Sequence, residues 1–377
     1  MPTVTRSGYA FGGWWTGTGG TGSLIQEDTP VTIEADHILY AKWVIAQGAQ
    51  WARTVSEGNS TSIFVSCAVD SFGNVYAAGS QRGIGTYTYG TGVSAAGNFS
   101  GGDNVVLVKY DSNGTALWAR TVTGGTYESH FSNVAFDSFG NVYVAGHQNG
   151  NGTYTFGEGV SASGSYSGGN NVVLVKYDSG GNAKWARTVS EGTSASEFKS
   201  VVVDFSGNVY AAGYQWGSAT YTYGSGASAT GTASGRNNAV LVKYDSSGNA
   251  KWARTVNSGN EVSEFYDVAA DSSGNVYVAG NQRGTGTFTY GSGVSATGTS
   301  SYYNVVLVKY DSSGTALWAR TVLTGAGDSE FYSVAIDSSD NVYAAGYQSG
   351  GVYTYWQGIS ATGPYSGGNV VLVKYWP

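Results

Sequence analysis

The chain has 377 residues, with 25 acidic against 18 basic side chains, a net charge of −7, 59 glycines and 4 prolines. That balance argues against a nucleic-acid partner, because phosphate binding needs clustered Lys and Arg, and no run of 18 or more apolar residues offers a membrane span. Cys67 is the only cysteine, which excludes an intramolecular disulfide, while 41% hydrophobic and 14% aromatic residues suit a core of short strands joined by tight turns.

Residues 1–43 differ in character from the rest of the chain. Met1 to Gly20 lacks a basic segment followed by an apolar one, so no signal peptide is visible. Arg6-Ser7-Gly8-Tyr9-Ala10-Phe11-Gly12-Gly13-Trp14-Trp15-Thr16, followed by Leu39-Tyr40-Ala41-Lys42-Trp43, resembles the Listeria–Bacteroides repeat of internalin-type surface proteins. The resemblance implies a small β-grasp-like module and an extracellular, wall-associated or secreted setting. It covers only the C-terminal two thirds of such a module, so the chain is expected to be truncated or to begin inside a longer array. Residues 44–50 form a connector.

From residue 51 the chain repeats. Trp51-Ala52-Arg53-Thr54-Val55 returns at Trp118, Trp185, Trp252 and Trp318, at spacings of 67, 67, 67 and 66. A period of that length with several strand-like runs per copy marks a repeat architecture. In the second copy the pattern predicts strands at Asn133–Asp137, Asn141–Gly146, Asn171–Tyr177 and Ala183–Val189, with tight turns at Ser138-Phe139-Gly140 and Asp178-Ser179-Gly180-Gly181. A long insertion from Gln148 to Asn170 separates the middle pair, and its alternating Tyr-Thr-Tyr-Gly pieces, as at Tyr221 to Gly224, suit an extra hairpin. Four antiparallel strands in meander order form the blade of a β-propeller.

The segment Asp271 to Gly280, with Asp70, Asp137, Asp204 and Asp337 heading its siblings, resembles the β-propeller repeat family of bacterial secreted and surface proteins. That resemblance spans residues 51–377 and bears on fold rather than function. The last copy stops at Trp376-Pro377, where its fourth strand should begin, whereas Trp51–Val55 precedes the first complete set of strands. The expected fold is therefore an all-β, five-bladed propeller closed by its N-terminal strand, which completes the last blade and removes an open sheet edge, with a partial β module ahead of it.

The aspartate turns have a local explanation, since Asp accepts backbone hydrogen bonds across a turn and Gly tolerates positive φ. Calcium is the other reading of these aspartates, but their spacing matches no EF-hand-like loop. The opposite face carries the long insertions and eight acidic residues (Glu57, Glu128, Glu191, Glu197, Glu261, Glu264, Asp328 and Glu330). Ser62, Ser129, Ser196, Ser263 and Ser329 recur there, as do Gln81, Gln148, Gln215, Gln282 and Gln348. A glutamine amide both donates and accepts, which suits either ties to a neighbouring blade's backbone or carbohydrate hydroxyls. Tyr214, Trp216 and Tyr347 beside the glutamines could stack on sugar rings.

The repeated Trp reads as blade packing and the repeated Arg as a rim residue with its stem on apolar surface. Cys67 stands where four siblings have valine and reads as a small buried hydrophobe. His37, His130 and His147 share no offset, no Ser/His/Asp set is discernible, and no His/Cys cluster offers metal ligands. An enzyme would need a polar constellation that breaks the five-fold pattern, and none is evident in the sequence. The expectation is a non-enzymatic, monomeric extracellular propeller without cofactor or metal, binding a glycan or a surface protein through its long-loop face. The alternative is a structural spacer or assembly scaffold.

Overall fold

A computed structural model describes residues 4–6, 8–26, 29–30, 36–45 and 48–376. The chain separates into two compact units, Met1–Thr54 and Val55–Pro377. Ser7 of the N-terminal motif, and Ala46 and Gln47 of the connector, lie outside the described residues.

The N-terminal unit holds a three-stranded antiparallel sheet in which Tyr9–Trp15 runs between Leu24–Ile25 and Tyr40–Ile45. Its aromatic motif holds the sheet together. Phe11 packs edge-on against Trp14 at 5.5 Å and Trp43 at 5.8 Å, and the Lys42 ammonium lies 4.8 Å from the Trp15 ring.

The second unit contains five repeated antiparallel meanders. Sheet one comprises Ser62–Val69, Val75–Arg82, Asp103–Tyr110 and Ala116–Thr121. Sheet two comprises Ser129–Phe136, Val142–Asn149, Asn170–Tyr177 and Ala183–Arg187, and sheet three Ser196–Val203, Val209–Trp216, Asn237–Tyr244 and Ala250–Thr255. Sheet four comprises Ser263–Ala270, Val276–Arg283, Tyr303–Tyr310 and Ala316–Arg320; sheet five has three strands, Ser329–Ile336, Val342–Gln348 and Asn369–Tyr375. In every repeat the insertion folds as its own two-stranded hairpin, as the alternation predicted.

The first strands begin earlier than their sequence suggests. In sheet two the ladder starts at Ser129, four residues before the expected Asn133, and crosses a bulge that leaves Ser132 unpaired between Phe131 and Asn133. The bulge explains the Gly of each Val-Tyr-x-Ala-Gly strand: a Cβ on Gly146 would strike the His130 carbonyl.

The aspartate turns are as expected. Asp137 Oδ1 accepts the Phe139 and Asn141 amides at 3.0 and 2.9 Å, and Oδ2 accepts the Asn141 side chain and the Tyr143 hydroxyl at 2.7 and 3.1 Å. Sheets pack through four apolar cores, each shared by two consecutive sheets. The repeated Trp and Arg lock the first three of these junctions. Trp118 Nε1 donates to the Ser179 carbonyl at 3.1 Å, and Arg120 Nε to the Gly181 carbonyl at 2.6 Å, both in the next sheet's turn. The Trp thus packs as expected, while the Arg does more than cover a rim: it bonds the next sheet.

First strands of neighbouring sheets touch one another, as where Asn133 donates to the Ser66 hydroxyl at 3.2 Å. The first strands therefore line one side of the array, and each sheet has a long-loop end and a tight-turn end.

The two ends of the array differ from its middle. No apolar core joins sheet five to sheet one among the described residues, and Trp51–Val55 adopts no strand. Phe64 is 39% exposed, whereas its four equivalents in the other sheets are at most 1% exposed. Cys67 corrects the sequence reading for the same reason. It is exposed, while Val134, Val201, Val268 and Val334 are buried against the preceding sheet. The valine alignment was right, but burial at that position comes from a preceding neighbour that sheet one lacks here. At the far end a cavity of about 560 Å³ opens along the free edge of Asn369–Tyr375, between Trp318, Arg320 and Trp356.

Candidate functional site

The repeated glutamines lie inside their own repeats. Gln81, Gln148, Gln215, Gln282 and Gln348 are essentially fully buried. Each donates Nε2 to an alanine carbonyl of its own insertion hairpin, as in Gln215 to Ala229 at 3.1 Å. In four repeats the amide oxygen accepts a hairpin tyrosine hydroxyl at 2.9 Å. These amides fasten the hairpin to the sheet and present nothing to solvent. The recurring serines tie sheets together instead: Ser129 Oγ accepts the Val105 amide at 3.2 Å, and Ser196, Ser263 and Ser329 repeat the contact.

A different set of positions meets where the first strands of neighbouring sheets adjoin. It consists of the bulge residue, the residue two before it, and the residue preceding Gln on the second strand, and the combination differs from sheet to sheet. In sheet one they are Val65, Ile63 and Ser80; in sheet two, Ser132, His130 and His147; in sheet three, Lys199, Glu197 and Tyr214. Sheet four has Tyr266, Glu264 and Asn281, and sheet five Tyr332, Glu330 and Tyr347. The flanking Phe and Gln do not vary at all. A bulge re-aims its extra side chain out of the pleat, so these varied side chains are brought out of the ladder at one level of each sheet.

These groups form one polar track across the sheets. The rings of His130 and His147 are 5.0 Å apart, and His130 Nε2 lies 3.6 Å from Asp103. His147 Nδ1 lies 3.5 Å from Glu197, which also receives the Lys199 ammonium at 2.8 Å and the Tyr214 hydroxyl at 3.2 Å. Further round, Glu330 accepts Asn281 at 2.6 Å and the hydroxyls of Tyr266 at 3.1 Å and Tyr347 at 3.0 Å. Tyr332 stacks on Tyr347 at 5.8 Å and meets Tyr266 at 5.4 Å.

The carboxylates are tuned in opposite directions. Burial alone would raise Glu197, but His147 and Lys199 outweigh it and hold the group at about 2. For Glu264 burial prevails: its carboxyl is pushed up despite Asn237 and Lys199, with Glu330 adding to the effect. His130 is lowered by burial and by neighbouring His147.

Of the expected site residues, Tyr214 and Tyr347 fall on this track, and Trp216 sits beside it at the end of its strand, exposed. The glutamines do not. The sequence points to variable residues before the glutamines, but not to the bulge residues and their partners two positions earlier, which complete the polar set that breaks the five-fold pattern. The signal was present: aligning the repeats shows that the two residues flanking the invariant Phe keep changing. Dismissing the histidines for lack of a shared offset discarded that information. Among the described residues, no group of three or more His, Cys, Asp or Glu is placed to hold a metal ion, and no helix is long and apolar enough to cross a membrane.

With this geometry in place, comparison with known proteins bears on the N-terminal unit. Residues 1–42 match the Listeria-Bacteroides repeat domain. Most of the aromatic three-stranded sheet falls within that match, and three further proteins are similar to this chain. One is an uncharacterized WD repeat-containing protein of Acanthamoeba polyphaga mimivirus, 26% identical over 202 residues. The match takes in 47% of this chain, which spans only 14% of that protein. Among solved structures, a protein of unknown function from Bacteroides caccae aligns with a TM-score of 0.34 at 11% identity, over 64% of this chain and 61% of that one. The extracellular domain of a putative one component system from B. thetaiotaomicron aligns with a TM-score of 0.25 at 10% identity, over 84% and 47%.

Proposed function

We propose that this chain is a non-enzymatic extracellular binding protein whose repeats close into a five-bladed propeller and which takes a glycan at the long-loop mouth of its axis. The observation that carries the reading is the bulge column: where the first strands of neighbouring sheets meet, the repeats bring together different polar and aromatic side chains that contact one another across sheets. Polar groups beside exposed rings, Tyr332 and Trp216 among them, suit sugar hydroxyls and sugar faces. Because the column differs in every sheet, one composite site is expected rather than five equal ones. Glu197 is committed to Lys199 and the Tyr214 hydroxyl, which favours binding over acid–base chemistry at that carboxylate. The extracellular setting draws on the Listeria-Bacteroides repeat.

Closure is part of this reading. A strand of the Trp51–Val55 sequence would pair with Asn369–Tyr375 in the register used elsewhere, where Leu107 faces Arg120 and Lys109 faces Trp118. That places Arg53 opposite Leu372 and Trp51 opposite Lys374. The three-stranded state of sheet five is what supports it.

A glycan array followed by titration calorimetry tests the function. One molecule of ligand per chain is expected, with affinity lost in Tyr214→Ala and Trp216→Ala and kept in Gln282→Ala at temperatures where that variant stays folded. Silence across a broad array would sink the binding reading. A structural or assembly unit is the second reading, favoured by the exposed apolar ends at Phe64 and Leu372; a chain that binds no glycan and self-associates in light scattering would support it.

A further inference from the structure

The track changes character along its length. In sheet three a carboxylate and a tyrosine already hold an ammonium: Lys199 Nζ bonds Glu197 at 2.8 Å and lies 5.6 Å from the centre of the Tyr214 ring, while the Tyr214 hydroxyl bonds the same carboxylate. Sheet five repeats the carboxylate and the tyrosine as Glu330 and Tyr347, joined at 3.0 Å. Its bulge residue, however, is Tyr332 instead of a lysine. The tethered cation is gone and a half-exposed ring stands in its place.

Sheet four makes the imbalance larger. Its first strand contributes Glu264 and Tyr266, and the first strands of sheets four and five contain no Lys or Arg. Tyr266, Tyr332 and Tyr347 form a continuous ladder of rings beside the two carboxylates. Glu264 is itself partly buried, and its carboxyl is pushed up by that burial first and by Glu330 last, against Asn237 and Lys199. Independently of the acids, Asn281 is 1% exposed and its Oδ1 is buried without a hydrogen-bond partner, although its Nδ2 bonds both Tyr266 and Glu330. A buried acceptor of that kind calls for a donor.

We propose that the mouth between sheets four and five, formed by Tyr266, Tyr332, Tyr347, Glu264 and Glu330, binds a protonated amine, and that the ligand is therefore an amino sugar with a free ammonium group. Ring faces attract a cation through their quadrupole, the carboxylates neutralise it, and the N–H donors answer the acceptors. A neutral hexose satisfies the stacking and hydrogen bonding but not the charge. The proposal rests on the glycan-binding reading, and the two can fail separately.

The test compares glucosamine trimer with N-acetylglucosamine trimer by titration calorimetry on the full chain. The free amine is expected to bind at least about tenfold more tightly, in line with a partly desolvated cation–π and ionic contact, and to weaken as salt is added. Tyr332→Ala and Glu264→Gln should each erase most of that preference, whereas Tyr332→Phe, which keeps the ring, should retain it. Equal affinity for the two trimers, or a preference for the acetylated one, overturns the amine inference and leaves glycan binding standing. Failure to bind either trimer also overturns it, and the array then decides separately whether any glycan binds. Circular dichroism of each variant excludes loss of fold as the cause.

Discussion

Gln148 Oε1 is buried without a hydrogen-bond partner because Phe156 stands where the other four hairpins carry a tyrosine. In those repeats the hydroxyl sits 2.9 Å from the glutamine oxygen. Phe156→Tyr should therefore supply the missing donor at the position where four sibling tyrosines make it, and stabilise the protein by about 1 kcal/mol. Tyr223→Phe should cost about 1–2 kcal/mol by creating the same orphan in sheet three. Chemical denaturation of both variants checks the pair, and a destabilised Phe156→Tyr would show that the hairpin of sheet two packs differently.

Glu197 links stability to acid. Its folded carboxyl lies at about 2 against an ordinary 4.5, so the folded state favours the ionised form. The contribution is fully present above about pH 4.5 and is lost as pH falls toward 2. It amounts to roughly 3 kcal/mol at most. Glu197→Gln should flatten the fall in unfolding free energy between neutral pH and pH 3, and an unchanged slope would mean that the His147 and Lys199 contacts are not made.

The equivalent arginines of sheets three and four should respond unequally to truncation. Arg254 donates Nε to Gly314 at 2.7 Å and a terminal nitrogen to Ser313 at 3.2 Å in the following sheet's turn. Arg320 bonds only the Ala319 carbonyl, at 3.3 Å, and stacks on Trp318 and Trp356 at 5.0 and 4.6 Å. Arg254→Ala should cost about 1–3 kcal/mol and Arg320→Ala about 1 kcal/mol or less, as measured by thermal or denaturant unfolding.

Cys67 reports on closure. Its thiol is exposed when sheet one has no preceding neighbour, whereas a closed ring would bury it as Val134 is buried. The proposed ring predicts slow labelling by a thiol reagent under native conditions and rapid labelling once residues 1–55 are removed. Removal of residues 1–43 alone should leave the thiol protected. Rapid labelling of the intact chain would mean that the ends stay apart.

Much of the fold was legible because the local chemistry repeats. The Asp137 turn, the alternating hairpins and the Trp118 contact each follow from residues close in sequence or from a strict period. The function of Gln148 was harder to read, because an amide's partner 14 residues away depends on how the insertion folds back. The bulge column was hidden by the period itself: looking for what recurs passes over Lys199, Tyr266 and Tyr332. Cys67 shows a further limit, since burial at a repeat position is conferred by the neighbouring unit.

The Trp and Arg hydrogen bonds of sheets one, two and three all run forward, to the turn of the next sheet, so the array is directional and its two ends are unlike. Since these three junctions use the same residues, a gene encoding one more or one fewer unit in frame would meet compatible neighbours there. Unequal recombination between the near-identical repeats could then change the circumference of the assembly in a single step, while the bulge residues of each copy stay free to diverge.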